Sequence, residues 1–181
     1  ALAQTVKILD PLGSIIFPVI GYLYTFAIKF SSLTVLAVPF ASAAEQLNNE
    51  DIVILYTNDV HTYIDGALSY DIISGVKHEL SKQYEHVLLV DAGDHIQGTA
   101  FGSMDKGKTI IDLMNASAYD LATLGNHEFD KGRAALSNMI KKSEFDWVCS
   151  NVRVLRGMRQ LKPYKIVRYK GAKIAFVGAV T

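Results

Sequence analysis

Polar residues with metal-binding chemistry follow three separate apolar segments of this chain. They form the motifs Asn58–His61, Asp91–Asp94 and Gly125–Asp130, which read Asn-Asp-Val-His, Asp-Ala-Gly-Asp and Gly-Asn-His-Glu-Phe-Asp. Carboxylate and amide oxygens together with imidazole nitrogens suit Zn, Mn, Fe or Co, and this ligand set does not single out one metal. The three motifs therefore predict a site for divalent metal ions, provided that the fold brings them together.

The segments that precede these motifs are predicted to be buried strands, with helices between them. Apolar patterns predict strands at 51–57, 86–91, 119–124 and 145–150, helices at 68–83, 108–116 and 129–142, and a hairpin at 164–180 that turns at Gly171. Strands that alternate with helices indicate an α/β fold with a mostly parallel sheet. Because ligands bind at the carboxyl ends of neighbouring parallel strands, we expect the three motifs to share one edge of the sheet.

Spacing within the motifs refines this expectation. Asp59 and His61 lie two residues apart, so on an extended backbone both side chains point the same way and can share one ion. Asp94 follows a glycine, which permits a tight turn that aims its carboxylate back toward the strand ends. Each motif also has an ordinary explanation: Asp-x-His occurs by chance, Gly-Asp is a common turn, and Asn126 with Glu128 suits a helix start. All three motifs in order, each after a predicted strand, favour a functional site.

Three sequence blocks, Tyr56–His61, Gly93–Thr99 and Leu124–Asp130, resemble the signature motifs of the calcineurin-like metallophosphoesterases. More narrowly, they are similar to those of the exported 5′-nucleotidase / UDP-sugar hydrolase family. The resemblance covers about residues 52–181 and is specific, because these blocks are rarely found elsewhere in this order. It implies the N-terminal part of the catalytic domain, a metallophosphoesterase-type layered sandwich with a mostly parallel sheet, truncated after its first half.

The resemblance also implies an activity, the metal-dependent hydrolysis of nucleotide phosphoesters, in which a hydroxide held by two divalent ions attacks phosphorus. The substrate is then a nucleotide or a nucleotide sugar. By this resemblance Asp59 and His61 bind the first ion, Asp94 bridges, Asn126 binds the second, and His127 and Asp130 form the catalytic pair. The spacing of the catalytic pair supports its role independently. At a helix start, a carboxylate three residues further on can orient an imidazole and keep it protonated.

The chain departs from that family pattern in two ways. Thr62 stands where the family usually has glycine, so its side chain either narrows the approach to the metals or merely points outward. The family completes its metal site with later histidines and holds the nucleoside base in a C-terminal domain, but no histidine follows His127 here. We therefore expect an N-terminal fragment with about half a site, weak metal binding and little or no activity. His95, next to the bridging carboxylate, is a further residue that could touch substrate.

Residues 1–44 differ from the rest and predict a signal peptide or membrane-anchor region. Lys29–Ala44 has a basic start, an apolar centre and a small-residue end, as a cleavable signal peptide does. An atypical N-terminal extension, residues 1–28, precedes it and contains a second apolar run; it is either a membrane anchor or the result of a reading frame that begins too early. Residues 45–181 are then the metallophosphoesterase portion. We expect an exported protein, periplasmic, on the cell surface or extracellular, whose apolar segment could contact a membrane.

Composition excludes several function classes. The 181 residues carry 18 basic and 18 acidic side chains, and this balance excludes a strongly basic nucleic-acid binder. The 50% hydrophobic content excludes a disordered chain, and the single Cys149 excludes an intramolecular disulfide or a cysteine-rich zinc site. Basic residues predominate from Lys131 onward, which indicates either a solvated face or a rim that attracts an anionic ligand.

Two other functions stay open on the sequence alone. Gly102–Thr109 matches the pattern G-x-x-x-x-G-K-[ST], which predicts a phosphate-binding P-loop of an NTPase. Its context is poor, because it does not directly follow a strand and Asp105 adds negative charge where phosphate must bind. A solvated turn with Lys106 and Lys108 before a helix is the simpler explanation. The second alternative is a non-catalytic surface or binding protein that keeps the fold as a scaffold.

Overall fold

The computed structural model describes residues 52–65, 69–153, 158, 160–169 and 172–180, together with the backbone of four short strands that precede them. The strands and helices, in chain order, are β1 (Thr5–Leu9), β2 (Ile15–Phe17), β3 (Thr25–Ile28), β4 (Leu36–Val38), β5 (Ile52–Thr57), α1 (Tyr70–Ser81), β6 (His86–Asp91), α2 (Ala100–Asp105), α3 (Lys108–Ala116), β7 (Leu121–Thr123), α4 (Gly132–Lys142), β8 (Asp146–Val148), β9 (Leu161–Lys162), β10 (Tyr164–Tyr169) and β11 (Ala172–Val177). A single 3-10 turn, His127–Phe129, lies between β7 and α4.

One sheet forms the centre of the fold, with its strands in the order β4-β3-β2-β1-β5-β6-β7-β8-β9. Neighbouring strands from β5 to β9 are parallel. The strands β1 to β4 are antiparallel to one another, and β1 also runs antiparallel to β5. The strands β10 and β11 form a separate antiparallel hairpin. The parallel half of the sheet confirms the predicted α/β class.

The parallel half of the sheet is covered on both faces, which gives a layered sandwich. Residues of α1, α3 and α4 bury one face in a core whose centre is the fully buried Trp147. The hairpin covers the other face, where Ile174 and Phe176 pack on the second apolar cluster. Alternation along β5 produces both layers, because Val53 faces the helical core whereas Ile54 belongs to the cluster under the hairpin. This burial leaves the carboxyl ends of β5, β6 and β7 together at one edge.

The elements predicted from residue 51 onward are confirmed, whereas the strands β1 to β4, the helix α2, the 3-10 turn and the strand β9 were not predicted. The strand at 86–91 and the helix at 108–116 have the predicted bounds, whereas α4 begins at Gly132 because the 3-10 turn precedes it. Helix α2 lies in a glycine-rich stretch that resembles a loop. Gly102 belongs to this helix, and a Cβ there would collide with the carbonyl oxygen of Ile96. The strand β9 has only two residues, which is too short to show a hydrophobic period.

The predicted signal peptide or membrane-anchor region, residues 1–44, lies largely outside the described residues. Only the backbone of β1 to β4 is described there, and the interpretation of this region as a targeting segment remains a prediction. Among the described helices, none combines the length and apolar character that a membrane-spanning helix needs.

Candidate metal and catalytic site

The first loop, directly after β5, has an unusual backbone. Asp59, His61 and Thr62 have positive φ angles of 54°, 48° and 59°. The prediction of an extended backbone here is therefore wrong. The conformation is set by the neighbouring loop, because the N–H groups of Asp59 and His61 donate to the carbonyl oxygens of Gly93 at 3.1 Å and Asp94 at 3.0 Å. The first two loops thus run side by side, joined through their main chains.

His61 is oriented for metal binding by a hydrogen bond at the far side of its ring. Its Nδ1 lies 2.8 Å from the carbonyl oxygen of Gln97, which can only accept, so the proton is assigned to Nδ1. The Nε2 atom then presents a lone pair, and it lies 3.4 Å from a carboxylate oxygen of Asp59. Two electron-rich atoms that face each other at this distance are stabilised by a cation between them. A second hydrogen bond that fixes the ring in this way is typical of histidine ligands.

The second loop brings a further carboxylate to the same place. Gly93 and Asp94 have φ angles of 103° and 58°, so the predicted tight turn is confirmed. Ligand atoms of Asp59, His61 and Asp94 all lie within 4.8 Å of one another. The structure therefore contains a candidate metal site made of three of the four predicted ligands. Two carboxylates and one imidazole match the ligand preference of divalent transition metals.

The second and third loops pack so closely that glycine is required on both sides. A Cβ on Gly125 would collide with a carboxylate oxygen of Asp94, and a Cβ on Gly93 would lie 2.6 Å from the backbone nitrogen of Gly125. The backbone N–H of His127 donates to Oδ1 of Asp94 at 2.8 Å. Close contact of the two main chains thus sets the position of the Asp94 carboxylate.

The third loop supplies the predicted catalytic pair. The Nδ1–H group of His127 donates to Oδ2 of Asp130 at 2.7 Å, and this hydrogen bond raises the pKa of His127. The ring of His127 lies 5.2 Å from that of His61, measured between centroids, so the pair is adjacent to the metal cluster. The pairing predicted from the spacing is therefore present, while the catalytic roles stay a prediction.

Asn126, the fourth predicted ligand, lies at the start of the same 3-10 turn and is exposed. Its side chain makes no capping hydrogen bond to the turn, so this asparagine does not act as a side-chain helix cap. The next residue in the chain is His127, whose backbone N–H donates to Oδ1 of Asp94. Metal binding by Asn126 remains a prediction.

Glu128 is a residue whose importance the sequence analysis missed. It is 0% exposed, and its carboxylate accepts hydrogen bonds from the backbone N–H groups of Asp94, His95 and Gly125, at 2.9, 3.0 and 2.6 Å. It therefore connects two loops and does not act through the N-terminus of α4, which begins at Gly132. The only sequence signal for this role is its place inside the third motif.

His95 is also 0% exposed, so the suggestion that it touches substrate is wrong. Its Nδ1 lies 2.9 Å from Oδ1 of Asp91, whose other oxygen accepts a hydrogen bond from Thr57 at 2.6 Å. Burial by itself lowers the pKa of His95, but the carboxylates of Glu128 and Asp91 outweigh burial and raise this pKa to about 9. A buried imidazolium thus lies between two buried carboxylates, beneath the three loops that follow β5, β6 and β7, here called the ligand loops.

The side chain of Thr62 points into the protein. It is fully buried, and its hydroxyl oxygen accepts a hydrogen bond from the backbone N–H of Thr99 at 2.7 Å. The hydroxyl of Thr99 in turn donates to the carbonyl oxygen of Thr62 at 3.1 Å. The interpretation that this side chain merely points outward is therefore wrong, because the threonine is fully buried. The threonine connects the first loop to the start of α2.

The segment Gly102–Thr109 does not form a P-loop. It includes the end of α2 and the start of α3, so the required phosphate-binding loop after a strand is absent from it. Oδ2 of Asp105 accepts the Thr109 backbone N–H at 2.7 Å, a group that a P-loop would offer to phosphate. Lys108 pairs with Asp112 at 2.6 Å. The NTPase alternative is therefore wrong.

Two basic residues near the C-terminus are described in ion pairs, and neither pair is at the metal cluster. Lys162 and Lys165 both pair with Asp146, the first residue of β8. The ligand loops follow the carboxyl ends of their strands, whereas Asp146 lies at an amino end. For these two lysines, the solvated-face interpretation fits better than a rim that attracts substrate.

Comparisons with known proteins agree with this geometry. Residues 52–175 match the sequence profile of the family described as calcineurin-like phosphoesterase. A snake venom 5′-nucleotidase of Gloydius brevicauda is 34% identical over 150 residues, which are 72% of this chain and 26% of that protein. The solved structure of the NAD nucleotidase of Haemophilus influenzae superposes with a TM-score of 0.66 at 28% identity, covering 72% of this chain and 26% of that chain.

A second solved structure gives the same result. The 5′-nucleotidase precursor of Thermus thermophilus superposes with a TM-score of 0.66 at 25% identity, covering 72% of this chain and 28% of that chain. The chain spans about a quarter of the length of the curated relatives that it matches.

Proposed function

We propose that this chain, which belongs to the calcineurin-like phosphoesterase family, acts as a metal-dependent hydrolase of nucleotide phosphoesters. The observation that carries the proposal is the convergence of Asp59, His61 and Asp94, whose ligand atoms lie within 4.8 Å of one another. Loops that are separate in sequence create this cluster, and apolar packing alone gives no reason for two carboxylates to face each other. Family membership supplies the reaction class, and the cluster supplies the place.

The donor set fits divalent metal ions. In this proposal Asp59 and His61 hold one ion, Asp94 bridges, and Asn126 contributes to a second. Such ions would supply positive charge that activates water as a nucleophile and stabilises the phosphoryl oxygens. The contribution of the chain itself is to hold the ligands ready, with the hydrogen bond from His61 to Gln97 fixing the ring that faces Asp59.

His127 has the properties of a general acid or an electrostatic stabiliser. The Nδ1–H of His127 donates to Asp130 at 2.7 Å, and this hydrogen bond raises the pKa of His127. When the ring is protonated, its Nε2–H points away from that carboxylate. With 32% of the side chain exposed, this N–H can reach a bound phosphoester. It would donate a hydrogen bond to a phosphoryl oxygen or a proton to the leaving oxygen.

The proposed substrates are nucleoside monophosphates and nucleotide sugars. The relatives named above are a 5′-nucleotidase from venom, a 5′-nucleotidase precursor and an NAD nucleotidase, and each of these names refers to a nucleotide. A nucleotide is also consistent with a chain whose charge balance is unsuited to binding long nucleic acids.

Export of the protein is part of the same proposal. The segment Lys29–Ala44 has the charge and size pattern of a cleavable signal peptide, and one of the relatives named above is a venom protein. Contact of the preceding apolar run with a membrane is proposed on composition only. N-terminal sequencing of the protein isolated from its native cells tests this point, and a retained Lys29 would contradict cleavage.

The function is tested on the complete gene product by Mn²⁺ calorimetry, by phosphate release from AMP, and by the formation of UMP and glucose 1-phosphate from UDP-glucose. We expect Mn²⁺ binding, phosphate release that EDTA removes, and recovery when Mn²⁺ is added back. Asp94→Asn should lose both properties, because it removes the central carboxylate. The matched control Asp112→Asn, on the exposed face of α3, should keep both.

Two results would contradict the proposal. Phosphate release that EDTA does not affect would exclude a metal-dependent reaction. Mn²⁺ binding without hydrolysis of either substrate would favour the non-catalytic scaffold.

A further inference from the structure

The carboxylate of Glu128 lies directly beneath the metal ligands, where no solvent reaches it. We propose that Glu128 is a positioning residue that sets the metal affinity of the site by holding the backbone of the second and third ligand loops. The inference rests on the proposed function, because it assumes that Asp94 binds metal. It concerns a residue that does not itself touch the metal or the substrate.

The geometry of Glu128 is that of a clamp on the main chain. Oε2 accepts the N–H groups of Asp94 at 2.9 Å and Gly125 at 2.6 Å, while Oε1 accepts that of His95 at 3.0 Å. Two of these donors lie in the second loop and one lies in the third. A single side chain therefore fixes the separation of two loops that are distant in sequence.

Only a carboxylate of this length satisfies all three donors. An ionised carboxylate has about four acceptor sites and no hydrogen. A glutamine amide would present an NH₂ group to at least one backbone N–H, so two donors would face each other. An aspartate keeps the charge but is one methylene shorter, and it cannot reach both loops from the same backbone position.

Burial increases the importance of the clamp. Glu128 and His95 are both 0% exposed, and His95 Nδ1 lies 3.6 Å from Oε1 of Glu128 and 2.9 Å from Asp91. A buried carboxylate without partners would be strongly unfavourable, whereas here every oxygen of Glu128 faces N–H groups. The surrounding residues therefore hold this side chain in one orientation.

Displacement of Asp94 would also affect the first and third loops of the site. Its carbonyl oxygen accepts the N–H of His61 at 3.0 Å, and its Oδ1 accepts the N–H of His127 at 2.8 Å. Release of the Asp94 backbone from Glu128 thus loosens the first loop through His61 and the third loop through His127. The expected result is a weaker metal site in a protein that is still folded.

The test compares the complete gene product with Glu128→Gln and with the matched control Glu144→Gln, which removes an exposed carboxylate. Calorimetry measures the Mn²⁺ affinity, and hydrogen exchange measures the protection of the amides of Asp94, His95 and Gly125. We expect Glu128→Gln to bind Mn²⁺ about 10–100-fold more weakly, as is typical when an outer partner of a metal ligand is lost. The three amides should exchange faster in this variant, and Glu144→Gln should match the wild type in both measurements.

A spectroscopic readout separates positioning from general destabilisation. At saturating Co²⁺, the visible absorption bands of Glu128→Gln should differ from those of the wild type, because the ligands are displaced even when the metal is bound. A folded Glu128→Gln variant with wild-type Mn²⁺ affinity, Co²⁺ spectrum and amide protection would overturn the inference. If Glu128→Gln does not fold, Glu128→Asp takes its place, and wild-type behaviour of that variant overturns it equally.

The outcomes also separate this inference from the proposed function. If the wild type binds Mn²⁺ but releases no phosphate, the proposed hydrolase function is contradicted. Weaker Mn²⁺ binding by Glu128→Gln would still support the positioning role of Glu128 in that case. A wild-type protein that releases phosphate while Glu128→Gln keeps full affinity contradicts the clamp alone. A wild-type protein that binds no Mn²⁺ contradicts both.

Discussion

The edge of the sheet that carries Asp59, His61 and Asp94, here called the ligand edge, and the segment Gly102–Thr109 both contain residues suited to phosphate chemistry. Their polar atoms are paired differently. At the ligand edge, two carboxylates and an imidazole nitrogen face one another, with their ligand atoms within 4.8 Å. In the other segment, Asp105 accepts hydrogen bonds from Thr109, and Lys108 pairs with Asp112. The first set of atoms is directed at a shared space, whereas Oδ2 of Asp105 and the ammonium of Lys108 pair with residues four positions further along the chain.

The difference follows from where each region lies in the fold. Parallel strands end at the same edge, so residues that are distant in sequence meet there and their charges accumulate. A junction of two helices brings together only residues close in sequence, and these pair locally as i, i+4 neighbours do. A motif therefore indicates chemistry only when its structural context leaves its donors and acceptors directed outward.

The largest effect is expected at the ligand edge. Replacement of His127 by alanine should lower phosphate release by more than about 100-fold, because it removes the group that we propose donates to the reacting phosphoester. The Mn²⁺ affinity should stay within a fewfold of the wild type, since His127 is not a proposed ligand. Steady-state phosphate release and calorimetry measure the two quantities, with His78→Ala in the last turn of α1 as the control. Near wild-type turnover in the variant would remove His127 from the mechanism.

The buried charges beneath the ligand edge predict a pH dependence of stability. The pKa of His95 is raised from 6.5 to about 9 in the folded state, because Glu128 and Asp91 outweigh the effect of burial. The folded chain therefore binds this proton more tightly than the unfolded chain. The resulting stabilisation is fully present below pH 6.5 and is lost as the pH rises through 9.

We expect the free energy of unfolding of the metal-free protein to fall by up to about 3 kcal/mol across this range. Urea unfolding at a series of pH values measures it, and His95→Gln should give a flatter curve over the same interval. A wild-type curve as flat as that of the variant would contradict the buried imidazolium. No comparable effect is expected from Lys108, which is exposed.

A smaller effect is expected where the two regions meet. Thr62→Val keeps the size of the side chain but removes the acceptor for the Thr99 backbone N–H. Because that donor, on the half-buried Thr99, loses its partner, the variant should lose about 1 kcal/mol of unfolding free energy. Thermal unfolding followed by circular dichroism measures the loss. Thr62→Ser retains the hydroxyl and should be closer to the wild type; equal losses in both variants would show that the hydrogen bond is not the cause.

The smallest effect is expected in the segment Gly102–Thr109. Lys108→Ala removes an exposed ion pair with Asp112, and exposed pairs of this kind in a helix contribute little to stability because solvent screens them. Phosphate release and its sensitivity to EDTA should be unchanged, because the lysine does not reach the ligand edge. Loss of activity in this variant, together with activity that EDTA does not affect, would reverse the comparison between the two regions.

Much of the fold and of the site was predictable from the sequence, because both depend on short-range patterns. The apolar run of β5 and the helical spacing of α1 reflect burial, which acts on each residue separately. The positions of Asp59 and Asp94 directly after predicted strands were enough to predict that they meet. The pairing of His127 with Asp130 followed from their spacing.

The remainder depends on contacts between distant residues. The positive φ angles of Asp59 and His61 arise where their N–H groups bond to the second loop, and no local sequence preference indicates them. Glu128 acts on amides 33 and 34 residues away, so its position next to His127 suggested only a helix start. Two-residue β9 and glycine-containing α2 carry too little pattern to be recognised.

Asp94 has one more consequence, which concerns how such a site changes over generations. This residue lies in the second loop and is bonded to both of the others, through its carbonyl to His61 in the first loop and through its N–H and its carboxylate to Glu128 and His127 in the third. A substitution at any of these contacts disturbs the other two, so the effects of substitutions at these positions should be coupled. In related chains that share this arrangement, we expect changes at these positions to occur together rather than one at a time.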